Sequence, residues 1–521
     1  MRRPMLFIPV IIAASLLYAA SNGTREISLA DLRDKIEGGW AGQMIGVSFG
    51  APTEFKYRQK MIEGDLPKWT PDRVSNALEQ DDLYVDMTFA KVLDDKGLDA
   101  TTEDFGAMFK DARYQLWHAN LGARRALKRG VAASLAGTPK YNAHANDIDF
   151  QIESDFIGLM APGLPRASNE LCWRAGRVMN YGDGIYGGMF VSGMYAAAFF
   201  ETDPRKVVEA GLACMPPKSP YARLISDVLA WSKQYPDDWK KVWHLLGEKW
   251  DKREPCPEGA MKPFNIDAKL NGGYIVLGLL YGKGDFTRTL EIATRAGQDS
   301  DCNPSNACGV LGVMMGYQKI PDQWKSGIPK LADEKFNYTD FSFRGIVAST
   351  EKRALELVRR NGGRVEGGKL LIKTQTPKAP KLELWDDYGS PVERIHTTDP
   401  RWTWRGAWND KTTDRREVKL VTKTAHAKGA EAEITFDGTG AILVGPFIPT
   451  GGRADVYLDG KLDRIVDSYP DEDHQKNGEA VWHAFGLKSG KHTVKLVTRG
   501  EPINGSKGSD ISLEELVVFR P

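Results

Sequence analysis

The sequence predicts a multidomain chain in which an all-α domain is followed by an all-β jelly-roll sandwich. Three observations carry this. From residue 28 to about 362, apolar residues recur at helical spacing, whereas from about 382 to 521 they alternate with polar ones. Between the two lies Lys373-Thr374-Gln375-Thr376-Pro377-Lys378-Ala379-Pro380, whose prolines and polar side chains suit a connector. The expected boundaries are 22–365 for the helical domain, 366–381 for the linker and 382–521 for the sandwich.

The N-terminus reads Met1-Arg2-Arg3, an apolar run over 5–17, then Ala19, Ala20 and Ser21, the pattern of a secretory signal peptide over 1–21. No cysteine closes the run, and no later segment offers the roughly 18 apolar residues of a membrane span. A secreted or periplasmic protein is expected. Lys plus Arg number 70 against 69 Asp plus Glu, without a long basic run, which argues against nucleic acid as a partner. The five cysteines lack CxxC spacing, so neither a zinc ribbon nor a disulfide scaffold is expected, although one or two bridges remain open.

In the helical part, Ser28 and Asp31 form a capping signature before Leu29, Leu32, Ile36 and Trp40. Helical patterns follow Asp81 (Val85, Phe89, Val92) and Thr102 (Phe105, Phe109, Leu116). Gly184, Gly188, Ser192 and Ala196 fall four apart, a small-residue stripe suited to close helix packing. In the C-terminal part, segments 432–436 and 492–497 alternate, with turns at Asp437-Gly438 and Asp459-Gly460. Segments 456–460 and 486–492 resemble those of galactose-binding-like jelly rolls. Trp402, Trp404 and Trp408 are expected on one packed face.

Two carboxylate clusters carry the chemistry. Asp81 and Asp82 open a helix, with Asp86 four residues beyond Asp82. Taken alone, such a pair equally serves as a helix cap. The second cluster, Gly297-Gln298-Asp299-Ser300-Asp301-Cys302-Asn303-Pro304, joins two helices. Gly297 suits a helix end, Asn303 an N-cap and Pro304 a first helical residue, leaving Asp299 and Asp301 in the loop. Acids at i and i+2 can converge on one cation, and oxygen ligands suit magnesium, calcium or manganese rather than zinc.

These pieces resemble the ADP-ribosylglycohydrolase family. That family opens with a GxxxGxxxGxPxE-like motif, matched here from Gly42 through Gly46, Gly50 and Pro52 to Glu54. Its aspartate pair matches Asp81-Asp82, and its late DxD loop matches Asp299-Ser300-Asp301. The small-residue run 307–316 and Ile320-Pro321-Asp322-Gln323-Trp324 follow in the family's order. The resemblance implies an all-α catalytic domain holding one or two magnesium ions on Asp81, Asp82, Asp299 and Asp301, beside a sugar. It makes Glu54 the candidate general base or water holder, with Asp82 and Asp301 also catalytic.

Three departures matter. Gln80 and Cys302 stand where the family carries threonine; a Gln oxygen can replace a Thr oxygen as a ligand, whereas a thiol suits a hard cation poorly. In place of a Gly- and Asn-rich loop, the stretch 147–162 carries Asp149, Glu153 and Asp155, which would repel a pyrophosphate unless Arg124 or Arg125 neutralises them. Asp155 is thus a candidate substrate contact, and a neutral sugar is expected. Asp183 either caps a helix or faces the cleft, and Tyr181 and Tyr186 are candidate sugar contacts. No HxxxH pattern or phosphate-binding loop is present.

The expected function is a secreted, metal-dependent glycosidase acting on a ribosyl- or arabinosyl-type furanosidic bond, O- or N-linked, in a small molecule or glycan. Two alternatives stand beside it: an ADP-ribosyl-acceptor hydrolase, and a non-catalytic carbohydrate-binding protein clamped by a metal.

Overall fold

The computed structural model describes residues 23–251, 255–415 and 418–521; the expected signal peptide lies outside them. Helices fill the first two thirds of the chain and strands the last. The helices that frame the site are α1 (Leu29–Gly50), α2 (Asp81–Lys96), α3 (His118–Lys128), α4 (Asp183–Ala198), α5 (Ala268–Gly282) and α6 (Cys302–Met315). Ser28 caps α1 as its pattern predicts, its hydroxyl accepting from the Asp31 amide at 2.9 Å. The helix after Thr101 ends at Asp111, so Leu116 packs in the core from beyond it.

The centre of the domain is a close antiparallel contact between α1 and α6. Gly38, Gly42, Gly46 and Gly50 fall on one stripe of α1 because they are four residues apart. A Cβ added at these positions would lie 2.2 Å from Gly312 O, 2.1 Å from Cys308 O, 2.3 Å from Pro304 O and 2.1 Å from Ser300 O, respectively. Only glycine lets the two backbones touch at these four levels. The ladder therefore ends with the C-terminus of α1 pressed against the Asp299-Ser300-Asp301 loop. The stripe on α4 packs as predicted: Gly188 lies on the Phe150 ring, and Ser192 Oγ donates to Ser154 O at 2.8 Å.

Strand Thr24–Ser28 pairs antiparallel with Lys369–Lys373, which also pairs with Arg364–Glu366. The expected linker therefore contains a strand, because alternating Leu370 and Ile372 find a core to bury against. The rest runs irregularly over the helical domain. Tyr186 is buried there, its hydroxyl accepting from the Glu383 amide at 2.6 Å and donating to Glu383 O at 3.2 Å.

The C-terminal region is an antiparallel sandwich. One sheet runs in the order Lys461–Asp467, Gly452–Leu458, Gly490–Pro502, Glu431–Gly438, Thr403–Arg405, and the other Lys476–Ala484, Gly440–Phe447, Glu515–Arg520, Ser390–His396. The Asp459-Gly460 turn, with φ of 51° and 77°, closes a two-residue hairpin. Trp402 and Trp404 stack at 5.1 Å, and Trp404 meets Trp408 edge-on at 4.8 Å, the packed face the spacing predicts. All five cysteines are buried and none forms a disulfide, so the bridges left open by the sequence are absent. Among the described residues, no helix is long and apolar enough to cross a membrane.

The two domains meet through ions. Arg125 donates to Asp467 Oδ1 at 3.0 Å, Arg129 donates to both Asp467 oxygens and to Asp471, and Arg124 pairs with Glu472 at 2.9 Å. Burial would raise Asp467, but the Arg125 and Arg129 guanidiniums outweigh it and hold the carboxyl well below the usual range.

Candidate metal centre and active site

Three stretches of chain reach the site, each for a local reason. Gln80 leaves a 3-10 helix in extended conformation, so α2 starts at Asp81 with Asp81 and Asp82 in its first turn. Helix α6 starts two residues earlier than the sequence suggests: Asp301, not Asn303, is the N-cap, and Asn303 turns inward to donate to Asn271 Oδ1 at 3.0 Å. Gly297, at φ 79°, ends the preceding segment and lies against the carbonyls of Tyr57 and Lys60. Phe55 N then donates to Gln298 O, and Gln298 N to Tyr57 O. This mutual pairing fastens the Glu54 loop to the aspartate loop, and the Thr53 and Ser300 hydroxyls complete it at 2.8 Å.

The result is a knot of carboxylates. Glu54, Asp299 and Asp301 offer oxygens within 4.8 Å of one another, as do Asp82 and Asp301 with the Cys302 sulfur. Asp301 belongs to both groups. Asp82, Asp299 and Asp301 are almost fully buried, and each keeps one Oδ1 without a hydrogen-bond partner. Burial pushes the Asp82, Asp299 and Asp301 carboxyls well above the usual range, with neighbouring acids adding to the effect. Glu54 stands at the exposed rim; Asp301, then partial burial of its carboxyl, then Asp81 push it up to about 9. A knot of one sign, with orphaned oxygens aimed inward, is stable only with protons or a cation inside it. The donor set, carboxylates almost throughout, fits a hard divalent ion.

Other expectations separate here. Cys302 donates to Asp82 Oδ2 at 3.4 Å, so the thiol sits inside the knot. Gln80 turns its amide nitrogen to Asn76 Oδ1 at 3.0 Å, and Asp81, expected as a ligand, belongs to neither group. Asp86 is interior and accepts from the Phe156 amide at 3.2 Å. Asp155 is wholly buried, accepts from Asn306 at 2.9 Å, and burial raises it to about 7. Asp183 is buried in the first turn of α4, accepts from the Tyr221 amide at 3.3 Å, and faces Lys269 and Asp267 rather than the knot. Tyr186, expected as a sugar contact, has its hydroxyl engaged by linker backbone. Arg124 and Arg125 do not neutralise the 149–155 acids, because the sandwich takes both. Instead the Ala119 and Asn120 amides at the start of α3 bind Asp149, and the Asn120 side chain binds Glu153.

Sequence reasoning missed Lys476. This sandwich residue lies over the Trp117 ring at 3.9 Å, pairs with Glu472 at 2.8 Å and lowers Asp81 against the upward push of burial. No local signal in the sandwich marks it, since its meaning depends on how the domains dock.

The model described as ADP-ribosylglycohydrolase matches residues 28–356. An A type blood alpha-D-galactosamine galactosaminidase from Flavonifractor plautii is 33% identical over 112 residues, 22% of this chain and 10% of that protein. The chain thus spans about a tenth of that relative's length. Among solved structures, an ADP-ribosylglycohydrolase-related protein complex is 16% identical, covering 63% of this chain and 99% of the other at a TM-score of 0.39. The CBM36-1 domain of a multidomain xylanase from the hindgut metagenome of Trinervitermes trinervoides is 14% identical, covering 24% of this chain and 94% of its own at a TM-score of 0.17. With the matched region spanning well over half of the sequence and containing the whole carboxylate knot, the chain belongs to the ADP-ribosylglycohydrolase family of glycosyl hydrolases.

Proposed function

We propose that this chain is a secreted, metal-dependent glycoside hydrolase that cleaves a furanosidic bond, O- or N-linked, in a neutral ribosyl- or arabinosyl-type substrate. One observation carries the reading: buried, unpartnered oxygens of Asp82, Asp299 and Asp301 converge beside Glu54 at the end of the glycine ladder.

Asp81, Asp82, Asp299 and Asp301 would hold magnesium, or calcium or manganese. When bound, such an ion supplies positive charge that orients sugar hydroxyls and offsets the repulsion among the acids. Glu54, at the rim, is the group placed to take the proton of a water attacking the anomeric carbon as the glycosidic bond breaks. Its carboxyl, pushed up to about 9 chiefly by Asp301, becomes an effective base once that repulsion is offset. A neutral substrate is favoured because Glu153 adds negative charge near Asp81, and Asp155 near Asp82, with their arginine neighbours committed elsewhere.

The test is sugar release from a panel of pentofuranosides with and without magnesium. Asp301→Asn is expected to lower the rate at least about 100-fold while the fold survives. Retained activity in that variant, or in chelator, sinks the metal reading; binding of ADP-ribose tighter than of pentofuranosides favours the acceptor-hydrolase alternative. Secretion rests on the 1–21 pattern and is checked by the mass of the exported N-terminus.

A further inference from the structure

A second cluster lies outside the carboxylate knot. His118 at the start of α3, His144 and Asp147 in the turn before Asp149, and Cys256 in the irregular segment ahead of α5 bring ligand atoms within 4.8 Å of one another. Asp147 Oδ2 is 2.7 Å from His144 Nδ1 and 3.7 Å from His118 Nδ1, and Cys256 Sγ is 3.5 Å from His144 Nδ1.

The plain alternative is a hydrogen-bonded Asp-His pair with a cysteine packed beside it, and it leaves two atoms unexplained. Asp147 is 1% exposed, yet its Oδ1 has no hydrogen-bond partner, and neither has the buried Nδ1 of His118. Such orphans are uncommon and destabilising in a protein interior. The backbone is also committed to the arrangement: His118 takes φ 42°, a left-handed conformation rare outside glycine, and its ring stacks on Phe264 at 5.6 Å.

We propose that His118, His144, Asp147 and Cys256 form a structural transition-metal site of the zinc type. Two borderline imidazole nitrogens, a soft thiolate and one carboxylate oxygen make a four-ligand set of the kind that tetrahedral zinc takes, whereas magnesium takes oxygen ligands and disfavours the thiolate. The ligands come from three separate stretches of chain, so the ion pins the segment bearing Cys256 to the start of α3. That segment matters to the knot, because Cys256, Phe264 and Ile266 share an apolar cluster with Cys302, with Phe55 packed against it. Glu479 of the sandwich approaches His144 Nε2 at 3.5 Å, and both residues line an interdomain crevice of about 160 Å³.

The test uses the full chain, purified without chelator. Elemental analysis is expected to find zinc retained through gel filtration, and cobalt substitution to give a thiolate-to-cobalt charge-transfer band. Cys256→Ser should abolish the band, whereas Asp301→Asn should keep it, which separates this site from the carboxylate knot. His118→Ala, at the partly exposed helix end, is the variant least prone to unfold. It is expected to weaken zinc at least about 100-fold with an unchanged circular dichroism spectrum. A chain that retains neither zinc nor cobalt, a cobalt spectrum lacking the thiolate band, or a band surviving in Cys256→Ser overturns the proposal.

Discussion

Two groups of buried charge in this molecule are built on opposite principles. At the domain interface, Asp467 and Asp471 face Arg125 and Arg129, and each acid meets its counter-charge within the protein. In the carboxylate knot, Asp82, Asp299 and Asp301 face one another and Glu54, with oxygens left unpartnered. Burial acts on both, yet Asp467 ends well below the usual carboxylate range and Asp301 well above it. Burial alone therefore says little about role; the presence or absence of an internal counter-charge separates an interface that holds the fold from a site that waits for a cation.

The contrast is broken most directly at the interface. Asp467→Ala removes the carboxylate bonded to Arg125 and one of the two bonded to Arg129, and is expected to destabilise by about 3 kcal/mol in urea unfolding. A loss near zero would mean that solvent already carries those charges. The next effect tests how the knot is assembled. Gly42→Ala forces a methyl into the Cys308 carbonyl and is expected to cost about 1–3 kcal/mol. Because the same ladder sets Glu54 against Asp301, hydrolysis should fall with it; full activity would show that the loop pairing of Phe55 with Gln298 suffices.

Asp301→Asn sharpens the comparison in the other direction. Removing one charge from a like-charged knot should leave the metal-free protein as stable as its parent, or more stable by up to about 1 kcal/mol, even as activity is lost. Destabilisation beyond that in thermal melts would place a counter-charge inside the knot after all. The smallest effect is a slope. Burial raises Asp183 to about 7, so in the folded protein it stays protonated well above the unfolded value near 4. The stability this group contributes is complete below about pH 4 and is lost as pH rises through about 7. Asp183→Asn should therefore gain on its parent across that window, and parallel melting curves would contradict the shift.

Much of the helical domain was legible because local signals and the fold agree. The Ser28 cap, the start of α2 at Asp81 and the small stripe of α4 all stand where spacing put them. Helix α6 starts two residues before the strong local signal of Asn303-Pro304, and the Asn303 side chain is instead bonded to Asn271, distant in sequence. Tyr186 beside glycines reads like a ligand contact, but whether a hydroxyl meets sugar or backbone depends on where the linker runs.

By itself the sequence determined the two-domain order, the carboxylate loci and the glycine spacing, since all three are periodic or contiguous in the chain. Tertiary structure alone decided which acids share a volume, that Arg124 and Arg125 serve the sandwich, that Lys476 lies over Trp117, and that two histidines, an aspartate and a cysteine meet. Electrostatic and coordination chemistry act over a few ångströms of space, and residues as far apart in the chain as His118 and Cys256 come within that range only when the helices pack.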